Sequence, residues 1–82
     1  MITVDVYVPS VDREYDFSLD QNVRINTIIE EICEMIAHKE HSEIVGNTQE
    51  LVLCDRSEGR ILEGTQTLAS SRIRTGGSLL LV

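Results

Sequence analysis

Apolar and polar residues alternate strictly at the start of the chain, a pattern typical of a strand with one buried face. The apolar positions of this first stretch are Ile2, Val4, Val6 and Val8. Turn-forming residues follow at positions 9–12, and a second alternating stretch then has Tyr15, Phe17 and Leu19 on one face. Two alternating stretches separated by a short turn predict a β-hairpin.

The period changes at Ile25, from which apolar residues recur every three or four positions. These residues are Ile25, Ile28, Ile29, Ile32, Met35 and Ile36. Such spacing places them on one side of an amphipathic helix. Asn26 is the expected N-cap of this helix, because its side chain can accept a hydrogen bond from an unpaired backbone N–H.

The remaining segments predict short strands. Residues 51–53 form an apolar run after a Gly46-Asn47 break, and residues 60–62 predict a brief return strand. Gly76-Gly77 is interpreted as a turn before a final apolar strand at residues 78–82. The chain therefore predicts one α+β domain over residues 1–82, with the element order ββαββ followed by a closing strand.

The charge balance restricts the partners that we expect. Fourteen acidic residues against seven basic ones give a formal charge of -7. A negative protein is repelled by nucleic acid and by anionic lipid surfaces, so neither is an expected partner. The first residues lack a basic leader, and no stretch approaches the ~18 apolar residues of a membrane span. We therefore expect a cytoplasmic protein that does not insert into membranes.

The order of predicted elements resembles the β-grasp fold, and residues 62–82 resemble the final loop and strand of ubiquitin. This resemblance implies a mixed four- to five-stranded sheet packed on one helix. Among ubiquitin-like families, the helix start at residues 25–29 and the absence of a tail after the last strand are similar to the bacterial YukD/EsaB group. That resemblance implies an accessory or regulatory protein of type VII secretion. Its partner would be a protein, with a secretion-system ATPase or membrane component as candidates.

Two alternatives stay open from the sequence. The chain can be a ubiquitin-like domain excised from a larger membrane component of a secretion system, or a sulfur carrier or protein modifier. Carriers and modifiers need an exposed carboxyl-terminal glycine pair, whereas Gly76-Gly77 precedes the last strand and the chain ends in Leu81-Val82. Lys39 is the only lysine, which also argues against polymeric conjugates. We therefore favour a non-conjugating binding module.

Residues capable of chemistry are few. His38 and His41, with Glu34 one turn earlier, offer two or three metal ligands, but exposed helix-end residues are the simpler interpretation. Cys33 and Cys54 are interpreted as inert packing residues. No nucleophile and base stand at a productive spacing, so we expect no enzyme activity, no catalytic residues, no metal and no cofactor.

The last strand carries the most informative pattern. If Leu79 and Leu81 point toward the helix, Leu80 and Val82 must point away from it. Alignment with ubiquitin places Val52 and Val82 at positions of its hydrophobic recognition patch. The predicted partner-binding residues are Tyr7, Val52, Leu80 and Val82. The alternatives for these four residues are a homodimer contact or ordinary surface hydrophobicity. The second strand has an acidic face with Asp12, Glu14, Asp16 and Asp20, which is either solvated or binds a basic partner.

Overall fold

A computed structural model describes residues 1–40 and 50–82 and confirms the predicted order of elements. The strands and helix are β1 (Ile2–Val8), β2 (Arg13–Leu19), α1 (Ile25–Glu40), β3 (Leu53–Asp55), β4 (Arg60–Ile61) and β5 (Ser78–Leu81). A short 3-10 turn, Pro9–Val11, joins β1 to β2. His41 and the Gly46-Asn47 break lie outside the described residues.

The strands form one mixed sheet with the order β2-β1-β5-β3-β4. Strand β1 pairs antiparallel with β2, from Ile2 opposite Leu19 to Val8 opposite Arg13. Strand β5 pairs parallel with β1 and antiparallel with β3. The last strand in the chain is therefore the central strand of the sheet, and the α+β prediction is confirmed.

One helix packs on one face of this sheet and closes the core. The helix buries its predicted apolar side, and Leu62, Leu68 and Ile73 from the loops are buried in the same core. The strands contribute the alternating residues Val4, Val6, Val8, Tyr15, Phe17, Leu19, Leu53, Leu79 and Leu81. Because β-strand side chains alternate between faces, every intervening residue is directed away from the helix.

The predicted cap at Asn26 is wrong, because the helix begins one residue earlier, at Ile25. Its first N–H groups are paired by a loop: Ile25 N–H donates to Gln66 O (2.8 Å) and Asn26 N–H to Gly64 O (3.0 Å). Backbone carbonyls therefore replace the side-chain cap. A Cβ at Gly64 would lie 1.8 Å from Asn26 Oδ1, so a larger residue there would displace the Asn26 side chain.

The third strand lies two residues later than predicted, at Leu53–Asp55 instead of residues 51–53. Asp55 is buried in it, which the hydrophobic pattern did not indicate. Its carboxylate accepts hydrogen bonds from Ser57 N–H (3.1 Å) and Ser57 Oγ (2.8 Å), and these offset the cost of burying the charge. Its Oδ2 also lies 3.8 Å from Arg60 Nε.

The predicted turn at Gly76-Gly77 is confirmed. Gly76 has a φ of +90°, a left-handed conformation that favours glycine, and its N–H donates to Thr3 O (2.8 Å). Gly77 O accepts a hydrogen bond from Asp5 N–H (2.9 Å). Both glycines are thus connected to β1 immediately before the central strand begins.

Candidate functional site

The face of the sheet opposite the helix carries a row of apolar residues that crosses four strands. Tyr7 lies opposite Leu80, Leu80 opposite Cys54, and Cys54 opposite Ile61. Val52 and Val82 extend the row, joined by hydrogen bonds of 2.7 and 3.0 Å between their backbones. We call these six residues the open-face patch: Tyr7, Val52, Cys54, Ile61, Leu80 and Val82.

The four residues predicted for partner binding all lie in the open-face patch. Val82 is 45% exposed, whereas Tyr7, Val52 and Leu80 are half-buried by their neighbours in the sheet. Leu79, in contrast, is fully buried on the other face. The structure therefore brings the four predicted residues together on the side of the sheet that the helix leaves open.

Two members of the patch were missed by sequence reasoning. Ile61 is 67% exposed, among the most exposed large apolar side chains in the described residues, and Cys54 is half-buried beside it. Their place on this face depends on the antiparallel pairing of Cys54 with Ile61. The two-residue strand β4 is too short for a periodic signal, so only the strand register could have identified them.

Tyr7 ends the apolar row and is fixed by two polar neighbours. Its hydroxyl donates to Asp12 Oδ1 at 2.8 Å, and the Arg56 guanidinium lies 5.5 Å from the ring centroid. The hydrogen bond to Asp12, followed by desolvation, raises the pKa of Tyr7, so the hydroxyl stays protonated at neutral pH. The uncharged Tyr7 side chain therefore lies between the apolar row and the turn that joins β1 to β2.

The other half of the open face is acidic. Asp5 and Asp16 lie directly opposite each other on β1 and β2, and Glu14 is on the same face. A hydrogen bond with Asp16, then desolvation and the charges of Asp16 and Glu14, raise the pKa of Asp5 above its ordinary value. The open face thus combines the apolar row with a negatively charged region on β1 and β2.

The residues capable of chemistry are separated in the structure. Cys33 is buried in α1, and burial raises the pKa of its thiol, which keeps the sulfur protonated and unreactive. His38 is exposed near the end of α1. Within residues 1–40 and 50–82, no group of three or more His, Cys, Asp or Glu side chains is arranged to hold a metal ion.

No helix in the part of the chain that the structure describes has both the length and the apolar character needed to cross a bilayer.

The sheet order, the packing of α1 on one face of the sheet and the loop contacts define a ubiquitin-like β-grasp domain. Two solved structures share this fold. The N-terminal ubiquitin-like domain in the 4931431F19Rik protein is 25% identical to the chain, with a TM-score of 0.72, and the match covers 99% of this chain and 72% of that one. A protein designed on the basis of ubiquitin is 18% identical, with a TM-score of 0.74 and coverages of 99% and 85%.

A match to the sequence model of a protein family shows the family of this chain. A family model described as protein YukD of the WXG100 protein secretion system (Wss) matches residues 1–81. The chain therefore belongs to the YukD family, a ubiquitin-like family linked to type VII secretion. No curated protein matches the chain at a significant level.

Proposed function

We propose that this chain is a non-conjugating protein-binding module and an accessory or regulatory component of a bacterial type VII secretion system, acting in the cytoplasm. It docks through the open-face patch onto the cytosolic part of a secretion-system ATPase or membrane component. The observation that carries this proposal is the continuous apolar row across the central strands, on the face that α1 does not cover.

The composition of the patch supports a role in docking. Interface centres are depleted of charge and enriched in aromatic and apolar residues, with a polar rim. The patch contains no charged side chain, while Arg56, next to the Tyr7 ring, and Glu14, opposite Tyr7, lie at its border. Ile61 and Val82 are exposed enough to contact a partner without any rearrangement of the sheet.

A binding role without conjugation is supported by the position of the glycine pair. Gly76-Gly77 leads into β5, whose residues Leu79 and Leu81 are buried in the core. Cleavage after Gly77 would remove the central strand, so this pair is unsuited to serve as the activated terminus of a modifier. The buried Cys33 thiol is likewise unsuited to nucleophilic catalysis, in keeping with a non-enzymatic role.

The test is co-purification with defined components of the secretion system. The tagged chain would be co-expressed with the cytosolic portions of the ATPase and of each membrane component, as the unaltered protein and as a Leu80→Asp, Val82→Asp variant. Thr3→Asp is a matched control, since Thr3 is exposed on the same face but lies outside the patch. Circular dichroism would verify that all three proteins fold.

We expect the unaltered protein and the Thr3→Asp control to retain one of these components and the double variant to lose it. Equal retention by all three would exclude the patch as the docking site, and retention of none of the components would reject this class of partner. A concentration-dependent dimer that the double variant abolishes would identify the patch as a contact between two copies.

A further inference from the structure

A groove lies between strand β2 and helix α1, away from the open-face patch. It consists of two adjoining cavities with volumes of about 500 Å³ and about 470 Å³. Ser18, Glu34 and Met35 line both cavities, and Phe17 lies in the wall of the first. We call this feature the β2–α1 groove. The partly buried Met35 side chain packs on the core and supplies apolar surface to the groove.

Strand β2 is an edge strand within the described sheet, and its outer backbone groups have a regular orientation. Asp5 N–H donates to Gly77 O and Thr3 O accepts from Gly76 N–H, so these two residues direct their backbone groups toward β5. Their partners on β2, Asp16 and Ser18, therefore direct N–H and C=O away from β1. In residues 1–40 and 50–82, no strand pairs with these outward groups.

The charges around the groove are distributed unevenly. Asp20, Glu31 and Glu34 line the cavity near the carboxyl end of β2, whereas the side chain of Asp16 faces Asp5 on the open face. His38 and Lys39 line the other end, where the Lys39 ammonium lies 5.7 Å from the centroid of the Tyr15 ring. The groove therefore favours positive charge in a ligand at the end formed by Ser18, Asp20 and Glu31.

We propose that the β2–α1 groove binds an extended segment of a partner protein, which adds to β2 as a further strand. The ligand's backbone pairs with the outward groups of Asp16 and Ser18, and alternate apolar side chains enter the groove over Phe17 and Met35. Its basic residues lie beside the acidic end. This second docking site is separate from the open-face patch and does not depend on the function proposed for that patch.

The charge pattern argues that the occupant is a basic segment and not a second copy of this chain. Pairing β2 with another β2 would place Glu14 and Asp16 close to the same acidic residues of the other copy. Like charges that face each other across strands destabilise the pairing. Charged edge strands also resist unspecific association, while leaving the backbone available to a ligand of opposite charge.

The test uses a defined peptide and the complete 82-residue chain. The probe is a short peptide with an alternating valine and isoleucine core flanked by lysines. Its binding to the ¹⁵N-labelled chain is measured by ¹H–¹⁵N NMR. One comparison peptide has glutamates in place of the lysines, and another has N-methyl groups on alternate core residues, which prevents strand pairing. We expect the lysine peptide to shift the amide signals of Asp16, Ser18 and Met35, and the comparison peptides to bind at least about fivefold more weakly.

Two pairs of variants separate backbone pairing from side-chain and charge effects. Ser18→Pro removes one outward N–H at an edge position that tolerates proline, and Ser18→Ala keeps that N–H as its matched control. We expect only the proline variant to weaken binding, by at least about fivefold. We expect Glu34→Lys to weaken binding, because Glu34 lines both cavities. Glu63→Lys is its control: it makes the same charge change at an exposed residue that does not line the groove.

Several results would overturn the proposal. These are the absence of amide shifts at peptide concentrations up to about 1 mM, shifts confined to Leu80 and Val82, or equal binding of the glutamate and lysine peptides. Equal binding of the N-methylated and unmethylated lysine peptides would also overturn the proposal, and this comparison does not depend on whether Ser18→Pro folds. If the free chain self-associates and the amide signals of β2 shift with its concentration, the occupant of the groove is a second copy of the chain and not a basic segment of another protein.

Discussion

Two neighbouring leucines illustrate how position within the sheet decides the role of a residue. Leu79 is fully buried against the core, and Leu80 is half-buried on the open face. Their chemistry is identical, and their difference arises from the alternation of side chains along β5. The sequence pattern correctly predicted this division, since four consecutive apolar residues on a one-helix sheet cannot all face the core.

Truncation of each leucine should therefore have very different effects on stability. We expect Leu79→Ala to lower the free energy of unfolding by about 2–5 kcal/mol, because it leaves a cavity in the core. Leu80→Ala removes a side chain that is already partly hydrated and should cost about 1 kcal/mol or less. Urea denaturation followed by circular dichroism measures both. Comparable losses would mean that Leu80 is a core residue and not part of an available surface.

At the scale of elements, the start of α1 depends on a loop that follows it by about forty residues in the chain. Carbonyl groups of Gly64 and Gln66 accept hydrogen bonds from the first N–H groups of the helix. Arg24 and Thr67 form an antiparallel bridge that holds this loop next to the helix start. Sequence reasoning placed the cap on Asn26, because a local pattern contains no information about a distant carbonyl.

This contact predicts a specific coupling between Gly64 and Asn26. In Gly64→Ala the new Cβ would meet Asn26 Oδ1 at 1.8 Å, and the Asn26 side chain must leave its position. We expect a loss of about 0.5–1.5 kcal/mol in the free energy of unfolding, the usual cost of a displaced rotamer. In an Asn26→Ala background the same change should cost measurably less, because the obstructing side chain is gone. Additive losses in a double-mutant cycle would contradict this contact.

The central position of β5 makes a second prediction at this scale. A chain that ends at Gly77 loses Leu79 and Leu81, whose burial contributes about 1.5–3 kcal/mol each, and also the hydrogen bonds to β1 and β3. A small domain has a total stability of about 5–15 kcal/mol, so the shortened chain should be unfolded. Collapse of amide dispersion in its ¹H–¹⁵N spectrum would be the expected result. A folded product would make cleavage at the glycine pair compatible with the domain and would weaken the non-conjugating interpretation.

At the scale of the whole molecule, negative charge is concentrated on the hairpin side of the open face. The raised pKa of Asp5 means that the folded protein holds this proton more tightly than the unfolded chain. Proton binding by Asp5 therefore stabilises the folded state at pH values below the ordinary carboxyl pKa, and this stabilisation is lost as the pH rises through the raised pKa. The acidic pair opposes folding at neutral pH, and the core provides the compensating stability.

Removing one carboxylate should make this effect visible. We expect Asp16→Asn to raise the melting temperature at pH 7, and the advantage over the unaltered protein to shrink as the pH falls below the raised pKa of Asp5. Glu63→Gln removes one negative charge from the exposed Glu63, which is not among the groups that shift the pKa of Asp5, and serves as the control. Thermal unfolding at a series of pH values measures the difference. A stabilisation independent of pH would show that the interaction of Asp5 with Asp16 is not its source.

The alternation in residues 2–8 and 15–19 and the helical period from Ile25 onward determined the first hairpin, the helix and their buried faces. These signals are local, because side-chain direction follows from backbone geometry within a few residues. The β-grasp class followed from the resemblance of the element order to ubiquitin. Tertiary structure alone decided which strands pair, and so placed Ile61 and Cys54 in the patch, capped α1 with a distant loop and aligned Asp5 with Asp16. Such contacts arise from packing between segments far apart in the chain, where hydrogen-bond partners are selected by the assembled sheet and core.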